Sequence, residues 1–360
     1  MSEYRDFIRN FTFGQRLTYG LYQFCDHFFG RKTLFKDRSR FYKKLAETMK
    51  QKGEGKIMPI ERRKDLSLEE FKNHYVKKGI PVIIEGAAKD WDCVKNWSLE
   101  YFKKLHGDDE IVLVDNNDPA KDYELITLAE VIDNIRSGGK KYFRFYPLLT
   151  RHPEHLKDFD YEWLRKMNTK TSPNDVFQIF MGGEGTYTSM HNSNLPNIFV
   201  QAYGEKKWIL YSHYYTPIID PSPARNLYRD APAKKQEGLF NPFEPDFSDK
   251  YELFKYIDGY SVHLKPGDIL WNPPFYWHVV KNTTDSIGVG YRWLDLPYAW
   301  KISPLYLTLD LFVRNPPIWE TLKLYKKGIN ELHLAEVKRL EEVKKRVAEQ
   351  EARKKTKASV

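Results

Sequence analysis

A chain of 360 residues with 41% hydrophobic and 15% aromatic content can bury a sizeable core, as one large domain with additions or as two modest ones. Its two cysteines, Cys25 and Cys93, exclude a disulfide scaffold and a cysteine-built zinc site, and they suit a reducing compartment. The net charge of +9 sits at the ends: residues 1–56 hold 13 Lys/Arg against 6 Asp/Glu, residues 335–360 hold 9 against 5, and the middle is slightly negative.

Residues 1–56 read as a basic, aromatic helical extension. Leu17, Leu21, Phe24 and Phe28 recur at helical spacing on one face, which is expected to pack on the main domain. The other reading is an interfacial helix, because basic residues flank a very aromatic face. QKGEGK at 51–56 is a linker signal. The opening MSEYRDFIRN makes a poor signal peptide, and no apolar run is long enough to span a bilayer. A cytoplasmic setting is expected, with peripheral contact to a membrane or another polyanion as an option.

From 57 to about 180, helix and strand signals alternate. LSLEEFKNHYVKKG, SLEYFKKLHG and TLAEVIDNIRSGG read as helices that stop at glycine; PVIIEG, EIVLVDN and KYFRFYPLL read as strands. The order hints at a doubly wound sheet, yet no glycine-rich phosphate loop accompanies it. From 178 to 296 strands follow one another without helices. NIFVQAY and KKWILYS meet at Gly204-Glu205, YSVHL and DILWNP at Lys265-Pro266-Gly267, and WHVVKN and SIGVGYRW at Thr283-Thr284-Asp285. These turns predict hairpins and an antiparallel barrel or jelly roll. Residues 301–360 return to helices and end in a basic tail. The expected class is mainly β with flanking helices, a double-stranded β-helix core over about 178–296 inside a domain of 57–300.

His191 and His278 each stand at the entrance of a barrel strand. Either alone reads as a packed core histidine; the pair suits a two-histidine, one-carboxylate iron site. The stretches PVIIEG, HNSNLPNIFVQAYGEKKWILY and PGDILWNPPFYWHVV resemble, in register, the JmjC-type, cupin-like family of iron(II)/2-oxoglutarate oxygenases. Within it, they are most similar to the subgroup of the asparaginyl hydroxylase that inhibits hypoxia-inducible factor. The resemblance covers about 78–296. It implies His191 and His278 as iron ligands and Lys206 as the partner of the distal carboxylate of 2-oxoglutarate. Thr188, Asn197 and Tyr142 would line the cosubstrate pocket. Strand parity leaves Lys206 and Lys207 equally placed to face inward. Asp268 reads as a turn residue, and Tyr291 and Arg292 face either pocket or solvent.

The departure is Ser193, where the family pattern His-x-Asp or His-x-Glu becomes His191-Asn192-Ser193. A neutral hydroxyl is a poor replacement for a hard anionic ligand, and neither Glu184 nor Asp220 has a spacing that suggests replacement. Three readings stay open: an oxygenase that holds iron with two histidines, a halogenase-like enzyme whose small residue admits a halide, and an inactive relative acting as a binding or scaffold protein. No G-x-S-x-G elbow, P-loop, H-E-x-x-H helix or RNA-binding signature competes. The substrate, a small molecule or a protein side chain, is not legible, and the helices after 304 suggest a homodimer face.

Overall fold

The computed structural model describes residues 11–30, 32–113, 124–146, 148–169, 175–220, 240–313, 318–327, 338, 340–349 and 352. Two helices come first, α1 (Phe13–Phe29) and α2 (Phe35–Lys52). The strands are β1 (Ile57–Pro59), β2 (Arg62–Arg63), β3 (Val82–Ile84), β4 (Glu110–Leu113), β5 (Glu124–Thr127), β6 (Tyr142–Tyr146), β7 (Val176–Gly182), β8 (Tyr187–His191), β9 (Asn197–Tyr203), β10 (Lys206–Tyr211), β11 (Gly259–Leu264), β12 (Ile269–Asn272), β13 (Trp277–Asn282) and β14 (Ser286–Arg292). Between them lie α3 (Leu99–His106) and α4 (Leu128–Arg136); after them come α5 (Leu296–Ile302), α6 (Pro304–Val313) and α7 (Ile318–Lys326).

A five-stranded sheet runs β1-β11-β10-β13-β8 and a seven-stranded sheet runs β2-β3-β12-β9-β14-β7-β6, with β4-β5 as a separate ribbon. The jelly roll expected from the strand run is therefore present, with helices on its flanks. The expected hairpins are not. β9 and β10 belong to different sheets, as do β11 and β12, and β13 and β14. Each turn read as a hairpin instead carries the chain across the sandwich. The corner at Gly204 shows why such a turn mimics a hairpin signal. Its φ is 64° and a Cβ there would lie 1.9 Å from the carbonyl oxygen of Asp285, so two crossing turns pack backbone to backbone and only glycine fits. The amides of Glu205 and Thr283 close this corner on Thr284 Oγ1 and the Glu205 carbonyl.

The sandwich interior is built from Phe180, Phe199, Trp208, Leu210, Val262, Leu270 and Val280, contributed by both sheets. A larger cluster lies outside the seven-stranded sheet, where Trp271, Ile198, Val200 and Val289 meet Phe71, Phe102, Leu128 and Ile132 of the flanking helices. This two-sided burial makes the strands of that sheet read as continuous apolar runs. A third cluster covers the five-stranded sheet and includes Tyr19, Leu45 and Met49 of α1 and α2.

The N-terminal helices thus dock, but not by the expected face. Leu17, Leu21, Phe24 and Phe28 are 47%, 58%, 40% and 48% exposed, whereas Tyr19, Gln23 and Asp26 are buried. Period alone identifies a stripe and not its direction; here the polar stripe wins the interior because Asp220 and Arg38 wait there to pair with it. Most of the basic tail lies outside the described residues. No described helix is long and apolar enough to cross a membrane.

Candidate metal centre and anion pocket

His191 and His278 lie directly opposite each other on β8 and β13, with ring centroids 4.1 Å apart and ring planes 54° apart. Each ring is held by the backbone two residues before it: Nδ1 of His191 lies 2.8 Å from the Ser189 carbonyl and Nδ1 of His278 lies 2.9 Å from the Tyr276 carbonyl. A carbonyl only accepts, so both Nδ1 atoms carry the proton and both Nε2 lone pairs are left for a ligand. Trp208 stacks on His278 at 5.3 Å. Burial drives the His191 pKa well below its ordinary value, helped by His278 and Arg144. Burial lowers His278 to about 4, against the opposing Tyr276 hydrogen bond. Both imidazoles are neutral at pH 7, the form that binds metals.

Register explains how Thr188 joins them. Two steps along β13, from His278 to Val280, match three along β8, from His191 to Thr188. The extra residue is a bulge, and it returns Thr188 to the face that His191 uses. The same face of β10 carries Leu210, Trp208 and Lys206 opposite His278, Val280 and Asn282. Lys206 is 0% exposed, while Lys207 is exposed, so the structure settles which lysine turns inward.

Among the described residues, no carboxylate lies beside Lys206. Its Nζ donates to Asn282 Oδ1, at 2.5 Å, and to Ser286 Oγ, at 2.9 Å, and it lies 5.5 Å from the Tyr142 ring centroid. Tyr142 in turn hydrogen-bonds the Thr188 side chain, and burial raises its own pKa. Gly288 makes room: a Cβ there would lie 3.0 Å from Lys206 Cε and 2.3 Å from Phe199 Cζ. Desolvation lowers the Lys206 pKa to about 7. A buried ammonium satisfied only by neutral acceptors is a costly arrangement that an anion relieves.

The opposite sheet supplies Asn272, Asn197 and Arg292 side by side in register. Asn197 is buried, yet neither amide atom has a hydrogen-bond partner, and Asn272 Oδ1 also lacks one. Arg292 acts electrostatically on both histidines, as does Arg144 on His191. Among the described residues, the inward positions of these strands carry no Asp or Glu. The lining therefore fits a metal bound by two imidazoles and an anion beside Lys206, and it fails to supply the metal's usual carboxylate.

Ser193 does not supply it. Its Oγ accepts the Leu195 amide at 3.1 Å, and its carbonyl accepts the Phe275 amide at 2.7 Å. Asn192 Nδ2 donates to the Phe275 carbonyl at 3.3 Å. Phe275, fully buried, has φ 64°, a left-handed state costing about 1–2 kcal/mol for a side chain with a Cβ. The post-β8 turn and the pre-β13 loop are stitched together at this strained point, and the stitch sets the spacing of the two histidines. Asp268 accepts Arg62, Gly86 and Lys265 and is structural, as expected of a turn residue. Tyr291 is fully buried and donates to Asp175, on the outer side of its sheet. Sequence reasoning missed Asn282 and Arg144; Asn282 was findable, since it follows His278 by four residues on the same strand face.

A second group lies outside the sandwich. His106, at the end of α3, stacks on His152 at 3.7 Å with planes 26° apart, and Glu154 is within ligand reach. His106 Nε2 also lies 2.8 Å from His155 Nε2, and His152 Nε2 lies 2.9 Å from Asp109 Oδ2. His106, His152 and Glu154 each offer a ligand atom within 4.8 Å of the others, so this partly exposed group could also hold a metal ion.

A family model for the cupin-like domain matches residues 68–297. JmjC domain-containing protein D of Dictyostelium discoideum is 28% identical over 264 residues, 62% of this chain and 53% of that protein. Lysine-specific demethylase 8 of Xenopus tropicalis is 25% identical over 234 residues, 63% of this chain and 51% of that protein. tRNA wybutosine-synthesizing protein 5 of Mus musculus is 24% identical over 285 residues, 72% of this chain and 84% of that protein. The chain thus spans about half the length of the first two relatives.

Proposed function

The chain belongs to the cupin-like domain family, and on that premise we propose that it is an iron(II)/2-oxoglutarate oxygenase-like protein whose carboxylate-free centre binds the cosubstrate anion through Lys206. The observation that carries this reading is the buried Lys206 ammonium facing only neutral acceptors. His191 and His278 would hold the iron through Nε2. Lys206 would pair with the distal carboxylate, and Thr188, Tyr142 and Asn197 would line the pocket. When bound, iron and 2-oxoglutarate supply the activation of dioxygen. The chain's own task is to keep both imidazoles neutral, orient them through Ser189 and Tyr276, and exclude water behind Trp208.

Hydroxylation, as in the asparaginyl-hydroxylase subgroup, and a halogenase-like variant both suit this lining, since Ser193 leaves no protein carboxylate on the metal. The substrate would be a small molecule or a protein side chain. Both thiols, Cys25 and Cys93, are free, which supports a reducing, cytoplasmic setting.

A second reading rests on Ser193. With its Oγ engaged by the Leu195 amide, the position is committed to a turn, which suits a protein that binds the dicarboxylate without turning it over. Anaerobic calorimetry in buffers of different ionisation enthalpy separates the readings. Because an anion favours the charged form of Lys206, 2-oxoglutarate binding at pH 8 should take up close to one proton. Lys206→Met should abolish the uptake. Iron-dependent enhancement of that binding supports the oxygenase, and iron-independent binding supports the second reading. Wild type that binds no 2-oxoglutarate with iron or without it sinks both.

A further inference from the structure

α1 is built inside out. Its capping box is complete, with the Gln15 amide on Thr12 Oγ1 at 3.2 Å and the Thr12 amide on Gln15 Oε1 at 2.9 Å. Its inward face is polar: Tyr19 donates to Asp220 at 2.9 Å, Gln23 Nε2 reaches the same oxygen at 3.2 Å, and Arg38 pairs with Asp26 and with Asp220. Its outward face is apolar. Phe13, Leu17, Leu21, Phe24, Phe28 and Phe29 are all exposed, Phe13 by 73%, and Phe24 and Phe28 lie ring to ring at 4.6 Å. The stripe continues into Phe35 at the start of α2, also exposed. Beside it, α1 meets the α5–α6 turn over a cleft of about 180 Å³ between Phe13, Leu17, Ile302, Pro304 and Leu305. A helix that buries polar groups and exposes phenylalanines is held by its partners for the sake of that outer face, since solvent alone favours the opposite rotation.

Charge selects the occupant. Exposed Lys32, Lys36, Arg40, Lys43 and Lys44 follow the stripe, countered by exposed Asp37 and Glu47, and residues 1–56 carry 13 basic against 6 acidic side chains. An isologous dimer would bring this cationic surplus against itself, whereas an anionic bilayer attracts it. α1 has 17 residues, fewer than the roughly 20 that span a bilayer, so it would lie in the interface plane. We propose that the Phe13–Phe29 helix docks the protein peripherally on an anionic phospholipid surface, its aromatic face in the acyl boundary and the following basic helix over the headgroups. This surface is independent of the metal centre and of its chemistry.

The test is co-sedimentation of the full chain with vesicles of phosphatidylcholine, with and without about 30% phosphatidylglycerol, beside analytical ultracentrifugation without lipid. The expected result is binding to the anionic vesicles that weakens with salt. Phe24→Ser/Phe28→Ser, which alters two rings 40% and 48% exposed, should lower partitioning by about tenfold or more while the chain stays folded by circular dichroism and its 2-oxoglutarate binding is unchanged. Absence of vesicle binding, or binding untouched by this variant, overturns the proposal. So does a lipid-free dimer that the variant dissociates without any vesicle binding, which would assign the face to a second copy.

Discussion

Among the described residues, imidazoles come into close contact in two places, His191 with His278 and His106 with His152 and His155, and the two groups are built differently. His278 is buried and His191 half-buried between the sheets; each is fixed by a backbone carbonyl, with planes 54° apart, and among the described residues no carboxylate lines their site and neither Nε2 has a partner. His106 and His152 sit at the edge of the helical flank. They are stacked within 26° of parallel, and one nitrogen of each ring is engaged by a side chain, His106 Nε2 by His155 and His152 Nε2 by Asp109. Proximity of imidazoles alone therefore does not separate the two sites. They differ in what aims the rings, backbone carbonyls in the sandwich and side chains on the flank.

The sharpest way to break this comparison is to delete one ring from each pair. His278→Ala should lower Fe(II) or Co(II) affinity by more than about 100-fold, beyond the usual cost of an outer partner, while His152→Ala should leave it unchanged in the same anaerobic titration. The reverse ranking would move the metal to the flank. Next in size is Lys206→Met. It should cost 2-oxoglutarate more than about tenfold in affinity, the scale of a lost charge-assisted contact, yet raise the stability of the ligand-free protein.

The pH dependence gives the sign. Lys206 titrates near 7 when folded and near 10.4 when unfolded, so between those values the unfolded chain holds the extra proton and stability climbs with pH. Urea titrations from pH 7 to 10 should show that climb in wild type and lose it in Lys206→Met. A third experiment restores what the centre lacks. In Ser193→Asp one carboxylate oxygen can keep the Leu195 amide while the other turns to the metal, so iron affinity should rise by about tenfold; an unchanged affinity would mean that position 193 does not face the ion. Acid sensitivity follows from the same burial of the histidines. With His278 at about 4 and His191 also depressed, the unfolded chain takes up protons that the folded one refuses as pH falls from about 6.5 to 4. Stability should therefore drop over that window, and less so in His278→Gln, as read from melting temperatures.

Much of the centre was legible because it is local in sequence or fixed by period. His278 and Lys206 stand near strand entrances as expected, whereas His191 closes β8 instead of opening a strand, and alternation would have placed the overlooked Asn282 with His278. The side of the sheet on which Lys206 or Lys207 falls was not, because parity needs an absolute reference that only the opposing sheet provides. The β8 bulge that brings Thr188 round to the histidines leaves no mark in YTSMH. The turns at Gly204 and Thr283 signal only a reversal of direction, so pairing within a sheet and crossing between sheets look alike. The apolar stripe of α1 was visible and its outward direction was not, since that depends on Asp220 and Arg38, which lie elsewhere in the chain.

The crossing turns have a kinetic consequence. Between β7 and β14 only β10 and β11 are both consecutive and paired, and even they join across the long segment after Tyr211; β13 needs β8 and β10, and β9 needs β12 and β14. Every productive contact must close a long loop before it is rewarded, which places this chain among slow folders of high contact order. The two histidines meet only when β8 and β13 join across most of the domain. A nascent chain released before residue 282 would therefore expose the unpaired edge of β8 and own neither a metal centre nor an anion pocket.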